Sequence, residues 1–305
     1  MKNSKENILT NSYVIMLLAL IACFLWGSAF PSIKIGYKLF EINKTNTYGK
    51  ILFAGYRFLL SSMLILIFCT ISKLSIKIKK EAFFKLILLG VIQTFLQYIF
   101  FYIGLSNTSG VKGAIISSSN TFFSVLLPHF FYREDKITYK RLIGVILGFI
   151  GVVIVNLKAG SFDGGFKFTG EGFIILSSLA GAFAGIYTKK LAKDISPFAV
   201  SGYQLFTGSI ALILVGTLGA SQNITFTTKG SILLLYMAFI SAAAFSIWAV
   251  LLKYNGVGKV SIYKFSIPII GSFLSFFLLN ESFKSSNVIF AIILVSLGIY
   301  LINKK

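Results

Sequence analysis

The most regular feature of the sequence is a succession of long apolar runs separated by short polar connections. A helix needs about 20 mostly apolar residues to cross the hydrocarbon core of a bilayer, and the runs are close to that length. The pattern therefore predicts an all-α integral membrane protein with ten transmembrane helices. The predicted helices cover Tyr13–Ile35, Ile51–Ser72, Phe83–Leu105, Val111–Tyr132, Leu142–Leu157, Glu171–Leu191, Phe198–Leu218, Ser231–Leu252, Val257–Leu279 and Asn287–Ile302.

The composition supports a membrane environment. Hydrophobic residues make up 56% of the chain and charged residues only 12%, and the mean hydropathy is +0.85. Soluble domains carry about 25% charged residues, so this chain has too few to cover a surface that faces water. No predicted connection is long enough to hold a soluble domain, and the mass of the protein is therefore expected to lie in lipid.

The distribution of positive charge predicts the orientation of the chain. The net charge is +20, and 18 of the 29 Lys and Arg residues fall in connections or at helix ends on the side of the N-terminus, nine fall in such places on the opposite side and two lie deep within helices. Because basic residues are retained in the cytoplasm, both termini are predicted to be cytoplasmic in a multi-pass protein of the cell membrane. The basic loops would contact anionic lipid headgroups, and we expect no nucleic-acid partner.

The residues that usually carry catalysis or bind metals are scarce. The chain has two cysteines, Cys23 and Cys69, both in apolar runs, and one histidine, His129. This is too few for a disulfide framework or a Cys/His zinc site. There is also no Ser/His/Asp grouping and no glycine-rich phosphate loop, so we expect neither an enzyme nor a cofactor or metal.

The two halves of the chain resemble each other at an offset of about 147 residues. Gly55–Leu59 (GYRFL) corresponds to Gly202–Phe206 (GYQLF), and Leu126–Glu134 closes its helix much as Phe273–Glu281 does. The repeats are predicted to cover residues 1–158 and 171–305 with five helices each. An odd number of helices per repeat requires the second to be inverted, as in many secondary transporters, whose solute site lies between the halves near mid-membrane.

Several short motifs, in this order and spacing, resemble those of a known family. They are Trp26–Phe30 (WGSAF) in the first helix, Arg57–Phe58 in the second, Pro128 with Glu134 at the end of the fourth, Gly144, Gly148 and Gly151 in the fifth, and Pro268 with Glu281 in the ninth. Over nearly its whole length the chain resembles the EamA-type transporters of the drug/metabolite transporter superfamily. The resemblance implies ten helices around a central cavity and, commonly, export of amino acids or other metabolites. The second half departs from the pattern, because its first helix has no tryptophan in Ala180–Phe183 and position 204 is Gln.

Two cations lie deep inside predicted helices, where a charge is costly and usually faces a cavity or a partner. Arg57 lies about six residues, roughly 9 Å, into the second helix, and Lys264 lies at similar depth in the ninth. Each either contacts a substrate or reaches the headgroups by snorkelling, and Arg57 has the further alternative of pairing with a backbone carbonyl.

Amides and aromatic residues complete the predicted substrate site. Gln93 and Gln97 share one face of the third helix because they are four residues apart, and Asn120 lies near the middle of the fourth. Each amide either binds the solute or joins two helices. Three aromatic residues are predicted to line the cavity or, alternatively, to belong to interfacial belts, namely Trp26, Tyr187 and Trp248.

The placement of the acidic residues narrows the choice of substrate. All nine Asp and Glu residues fall in connections or at helix ends, so no carboxylate is placed to relay protons or to balance an organic cation. We expect a small-molecule substrate with a carboxylate, best an amino acid, exported or exchanged by a monomer that alternates between inward-open and outward-open states. The alternatives are a carrier of phosphorylated or lipid-linked metabolites and, from another class, a membrane-embedded enzyme.

Overall fold

The computed structural model of the chain describes residues 8–43, 45–108, 113, 116–156, 165–219, 224–279 and 285–303. All regular secondary structure within these residues is helical. The main helices are α1 (Ser12–Leu39), α2 (Thr47–Ile71), α3 (Lys80–Ser106), α4 (Ser119–Leu126), α5 (Tyr139–Asn156), α6 (Phe168–Asp194), α7 (Pro197–Gly219), α8 (Thr228–Tyr254), α9 (Val257–Leu279) and α10 (Ser285–Asn303).

Seven of these helices are long and apolar enough to cross a membrane, namely α1, α2, α3, α6, α7, α8 and α9. The chain is thus an all-helical, multi-pass membrane protein. Spans at α4, α5 and α10 stay predictions. The predicted residues Val111, Leu157 and Glu281, and most of the connection between the halves, lie outside the described part of the chain.

Three of the seven helices, α1, α2 and α8, begin before their apolar runs at a polar residue that caps the first turn. Asn46 Oδ1 accepts a hydrogen bond from the Gly49 amide at 2.8 Å, so α2 begins at Thr47 rather than at the predicted Ile51. Thr227 Oγ1 similarly accepts from the Gly230 amide at 3.1 Å and starts α8. Such side chains satisfy amides that have no partner in the first helical turn. Arg57 consequently lies ten residues, about 15 Å, from the start of α2, and still six residues after the apolar run begins at Ile51.

The bundle is built from a few long helix–helix contacts. Helix α2 packs along α7, and α5 packs along α10. Helix α1 lies against α8 and α9, while α6 lies against α3 and α4. The α5–α10 contact is close because glycines face each other: a Cβ built on Gly144 would lie 2.7 Å from the Gly298 carbonyl oxygen. Small residues allow this approach, which gives packing energy where lipid supplies no hydrophobic drive.

Three of the long helices contain turns that are not α-helical, and in α6 this is the first turn, the π-helix Phe168–Gly172. In α3 the residues Val91–Leu96 form a π-helix, and in α9 the residues Ile262–Phe265 form a 3-10 turn. Such turns within a helix are frequent at functional sites, because they leave backbone groups and side chains in positions that a regular helix does not offer. Gln93 lies in the irregular turn of α3 and Lys264 in that of α9, so both coincide with predicted site residues.

A buried carboxylate closes one end of the bundle. Asp135, in the connection between α4 and α5, has no exposed surface and accepts hydrogen bonds from the Val257 amide at 2.7 Å and the Gly258 amide at 3.2 Å. Arg141 pairs with the same carboxylate at 3.3 Å. An anion at a helix N-terminus satisfies the free amides there and interacts favourably with the helix dipole. Asp135 therefore fastens the start of α9 to the α4–α5 connection.

Candidate functional site

The centre of the candidate site is the ammonium group of Lys264. Its Nζ lies 5.1 Å from the centre of the Trp248 ring and donates a hydrogen bond to Asn120 Oδ1 at 3.2 Å. The ring of Trp26 packs against Trp248 with their centroids 5.1 Å apart. A cation over an indole face is attracted by the ring quadrupole, which partly replaces the hydration that the ammonium loses. Four predicted residues from α1, α4, α8 and α9 thus meet in one place.

The amide of Gln97 lies beside that of Asn120, and a glycine makes the room for both. Asn120 Nδ2 donates to the Ser178 carbonyl at 2.9 Å. A Cβ built on Gly181 would collide with Asn120 Nδ2 and would lie 2.9 Å from Gln97 Nε2. The absence of a side chain at Gly181 on α6 therefore makes room for the side-chain amides of Gln97 from α3 and Asn120 from α4.

Gln93 lies on the other side of Trp248, at a small central cavity. Gln93 Oε1 accepts a hydrogen bond from Thr188 at 3.3 Å, and Gln204 Oε1 accepts one from Thr94 at 2.6 Å. Both glutamines and Trp248 line a cavity of about 10 Å³. This volume holds about one water molecule, so this cavity is too small to hold a solute in this conformation.

Arg57 is buried in the bundle rather than extended toward the headgroups. Its side chain is 4% exposed, and Nε donates a hydrogen bond to Ser241 Oγ at 2.8 Å. Three tyrosines lie within electrostatic reach of the guanidinium, namely Tyr37, Tyr98 and Tyr102. Among the described residues no carboxylate pairs with Arg57 or with Lys264. Both cations are therefore held by neutral groups and keep their charge available for an anion.

A continuous row of aromatic rings links the two cations. Phe58, the neighbour of Arg57, lies 6.3 Å from Phe245, and Phe245 lies 5.5 Å from Trp26. Trp26 in turn contacts Trp248, which lies under Lys264. One apolar wall thus has a positive charge near each end, which suits a molecule with an anionic group and an apolar part.

The sequence of this site region, with the rest of the chain, matches one protein family. The model of the EamA-like transporter family matches residues 14–157 and again residues 168–304. The chain belongs to the EamA-like transporter family. Its place there agrees with the WGSAF and Arg57–Phe58 motifs of the first half.

Individual relatives of this EamA protein are transporters by name. Uncharacterized transporter YetK of Bacillus subtilis (strain 168) is 30% identical over 265 residues, which is 83% of this chain and 78% of the relative. Uncharacterized transporter YyaM of the same organism is 28% identical over 81% of this chain and 82% of its own length. A probable amino-acid metabolite efflux pump of Salmonella typhimurium (strain LT2) is 24% identical over 93% of each chain.

A solved crystal structure has the same fold. It matches with a TM-score of 0.79 over 96% of this chain and 97% of its own, at 14% sequence identity. At that identity the likeness concerns the architecture alone.

The structure of this EamA protein separates one predicted residue from the others and adds one. Tyr187 faces a groove on the side of the bundle rather than the central cavity. Gln204, which the sequence treats as a departure from the family pattern, is 1% exposed and lines the central cavity beside Gln93. The repeat could have found it, because adding the offset of about 147 to Arg57 gives position 204.

Proposed function

We propose that this EamA family member exports or exchanges a small solute that carries a carboxylate, best an amino acid, by alternating access. The observation that carries the proposal is the pair of deep cations, each held by neutral partners at one end of an aromatic wall. A carboxylate can pair with a cation that has no protein counter-ion, and the aromatic row can contact an apolar side chain. The name of the efflux pump of Salmonella typhimurium agrees with this class of substrate.

The proposed architecture has ten spans in two inverted halves, residues 1–158 and 171–305. Its support is a symmetry of the helix contacts: when each helix of the first half is replaced by its counterpart five places later, and each of the second half by its counterpart five places earlier, the main pairs stay the same. The contacts of α1 with α8 and α9 then become those of α6 with α3 and α4, and α2–α7 and α5–α10 map onto themselves. The contact of α3 with α7 likewise becomes that of α8 with α2.

Contacts at both ends of the bundle support spans at α4 and α5. Asp135, between these two helices, caps α9 at one end. Glu171, which follows α5, accepts a hydrogen bond from Thr108 at 2.6 Å, and Thr108 follows the far end of α3. These contacts support a path in which the segments that contain α4 and α5 run between opposite ends of the bundle.

The contacts of α10 support a tenth span that runs antiparallel to α5. Asn287 Nδ2 donates to the Ile154 carbonyl at 3.2 Å, near the end of α5. Gly298 meets Gly144, near the start of α5. With the N-terminus in the cytoplasm, as the lysine distribution indicates, Asp135 lies at the cytoplasmic end of a protein in the cell membrane.

The transport cycle that we propose begins from an occluded centre. The central cavity holds about one water, so the halves must separate before a solute can enter. The Asp135 contact with α9 is a polar joint of the kind that such a motion would break and remake. Helix α9 carries Lys264, so movement at this joint would be transmitted to the site.

The test is solute counterflow in liposomes that contain the purified protein. Panels of amino acids, sugar phosphates and cationic dyes are compared for the wild type, Lys264→Gln, Arg57→Gln and the control Lys253→Gln. Lys253 is a last-turn lysine of α8 that stacks on Tyr254 outside the candidate site. Loss of a hydrogen bond to a charged group costs about 1.5–3 kcal/mol, so we expect apparent affinity for the carboxylate substrate to fall about 10- to 100-fold in both site variants.

Two results would contradict this assignment. One is undiminished counterflow in Lys264→Gln and Arg57→Gln. The other is a preference for the cationic dyes. Arg57→Lys separates the effect of charge from that of geometry, because lysine keeps the positive charge but lacks the planar guanidinium that can hold a carboxylate through two N–H groups. A preference for sugar phosphates would instead favour the second candidate, a carrier of phosphorylated metabolites, because two cations also suit a doubly charged anion.

A further inference from the structure

A groove lies on the side of the bundle, away from the central site. It has a volume of about 570 Å³ and lies between α3, α6 and the end of α4. Its walls are apolar or aromatic and are formed by Leu88, Ile92, Phe131, Phe183, Ile186 and Tyr187. None of these residues belongs to the lysine–tryptophan cluster of the candidate site.

The groove opens toward lipid rather than toward water. Leu88 is 50% exposed and Phe183 is 43% exposed, and both lie within helices that are apolar enough to span a membrane. Leu88 is eight residues into α3, or about 12 Å from its start at 1.5 Å per residue. Exposed apolar side chains at this depth meet acyl chains, so the groove is a lateral depression in the surface that contacts the bilayer.

One end of the groove is basic. Phe183, Tyr187, Lys190 and Lys193 follow one another at helical spacing along α6 and lead from the apolar wall to two lysines that also line the groove. Both lysines are exposed, and within the described residues neither forms an ion pair. From one end of the groove to the other, its lining thus changes from aliphatic side chains to aromatic rings and then to lysines.

A tyrosine gives this basic end a fixed shape. The Tyr132 hydroxyl donates a hydrogen bond to the Ile186 carbonyl at 3.0 Å, which fastens the end of α4 to α6. Lys193 Nζ lies 5.6 Å from the centre of the Tyr132 ring. The neighbouring Lys189 has a different role, because it is buried and donates to the Asn255 carbonyl at 2.7 Å. Lys190 and Lys193 are left facing outward.

We propose that this groove binds an anionic phospholipid, with an acyl chain along the apolar wall and the headgroup phosphate at Lys190 and Lys193. Charge complementarity favours this occupant over a second copy of the chain, whose net charge of +20 would repel the same lysines. The lysines also lie at the end of the bundle that we propose to be cytoplasmic, where membranes carry anionic lipids. The proposal rests on the proposed orientation of the bundle and does not depend on the substrate of the central site.

The test is native mass spectrometry of the full chain in detergent, after incubation with phosphatidylglycerol or phosphatidylcholine of identical acyl chains. Each lysine near a membrane surface contributes about a fivefold gain in affinity for anionic lipid, so Lys190→Gln with Lys193→Gln is expected to weaken phosphatidylglycerol binding about 25-fold. The control Lys253→Gln removes a lysine that also stacks on a tyrosine but lies outside the groove. Leu88→Trp fills the apolar wall and is expected to reduce binding of both lipids with the lysines intact.

Thermal unfolding without added lipid shows whether each variant is folded. The proposal is overturned if the double lysine variant retains phosphatidylglycerol as the wild type does, or if Lys253→Gln loses as much. Equal binding of phosphatidylcholine by the wild type would also overturn it, as would a lipid-free dimer that Leu88→Trp dissociates.

Discussion

Gly181 offers the sharpest test of how the central site is assembled. A Cβ at this position would collide with Asn120 Nδ2 and crowd Gln97 Nε2. We expect Gly181→Ala to displace the Asn120 amide, which would break its hydrogen bonds to Ser178 and Lys264. Gly185, one turn further along α6, is the matched control, because the nearest atom to its Cβ is 3.9 Å away.

The magnitudes can be worked out for both variants. Alanine is favoured over glycine within a helix by about 1 kcal/mol, and this gain applies equally to Gly181→Ala and Gly185→Ala. Hydrogen bonds between membrane helices average about 0.6 kcal/mol and reach about 1.7 kcal/mol, so loss of both Asn120 bonds costs about 2 kcal/mol. Gly185→Ala should therefore be stabilised by about 1 kcal/mol and Gly181→Ala destabilised by a similar amount.

The difference of about 2 kcal/mol is measurable by thermal unfolding in detergent. At about 2 °C or more per kcal/mol, the two melting temperatures should differ by at least about 4 °C. Counterflow should fall in Gly181→Ala and stay at the wild-type level in Gly185→Ala, since only the first disturbs the partner of Lys264. If the two alanine variants have the same melting temperature and the same transport, the Asn120 amide does not hold Lys264 and this account of the site is wrong.

Two further predictions concern the stability of the bundle toward unfolding. Asp135→Asn keeps the shape of the side chain but has one acceptor oxygen, whereas Asp135 offers a separate oxygen to each of the Val257 and Gly258 amides. One amide therefore loses its acceptor and the other keeps an uncharged one, and we expect a loss of about 1–3 kcal/mol in the free energy of unfolding in detergent. Unchanged stability would show that the start of α9 is held by other contacts. Gly144→Leu would push α10 away because the Gly298 carbonyl lies so close, and a cost of about 1–3 kcal/mol should appear in the same assay. A normal melting temperature would contradict the close α5–α10 contact.

The sequence is a good guide to which residues are polar within the membrane and a poorer guide to where they point. Lys264 and Asn120 are predicted from their positions within helices and Trp248 from its aromatic ring, and the structure brings the three together around the Lys264 ammonium group. Tyr187 is predicted on the same grounds as Trp248, yet it faces the lateral groove. Periodicity gives the relative direction of residues on one helix, but the rotation of that helix against its neighbours depends on packing.

The prediction from sequence misses Gln204 and Ser241 for a different reason. Gln204 and Ser241 are ordinary polar residues in apolar helices, and many such residues only join helices. Their importance arises from partners far away in sequence, Thr94 for Gln204 and Arg57 for Ser241. The start of α2 is predicted too late because hydropathy falls before the helical hydrogen bonds end. Capping by Asn46 continues α2 for one turn into a polar stretch of sequence.

The π-helical turn at Val91–Leu96 lets α3 hold about one residue more than a regular α-helix of the same length. Because the π turn takes up this extra residue, the flanking turns stay in register, and deleting a single residue there would restore a regular helix and move mainly the side chains of the turn itself. Gln93 would leave the central cavity while Gln97 stayed in register with Asn120. A one-residue insertion or deletion at this turn is therefore a route by which relatives could acquire different solute preferences without rebuilding the scaffold.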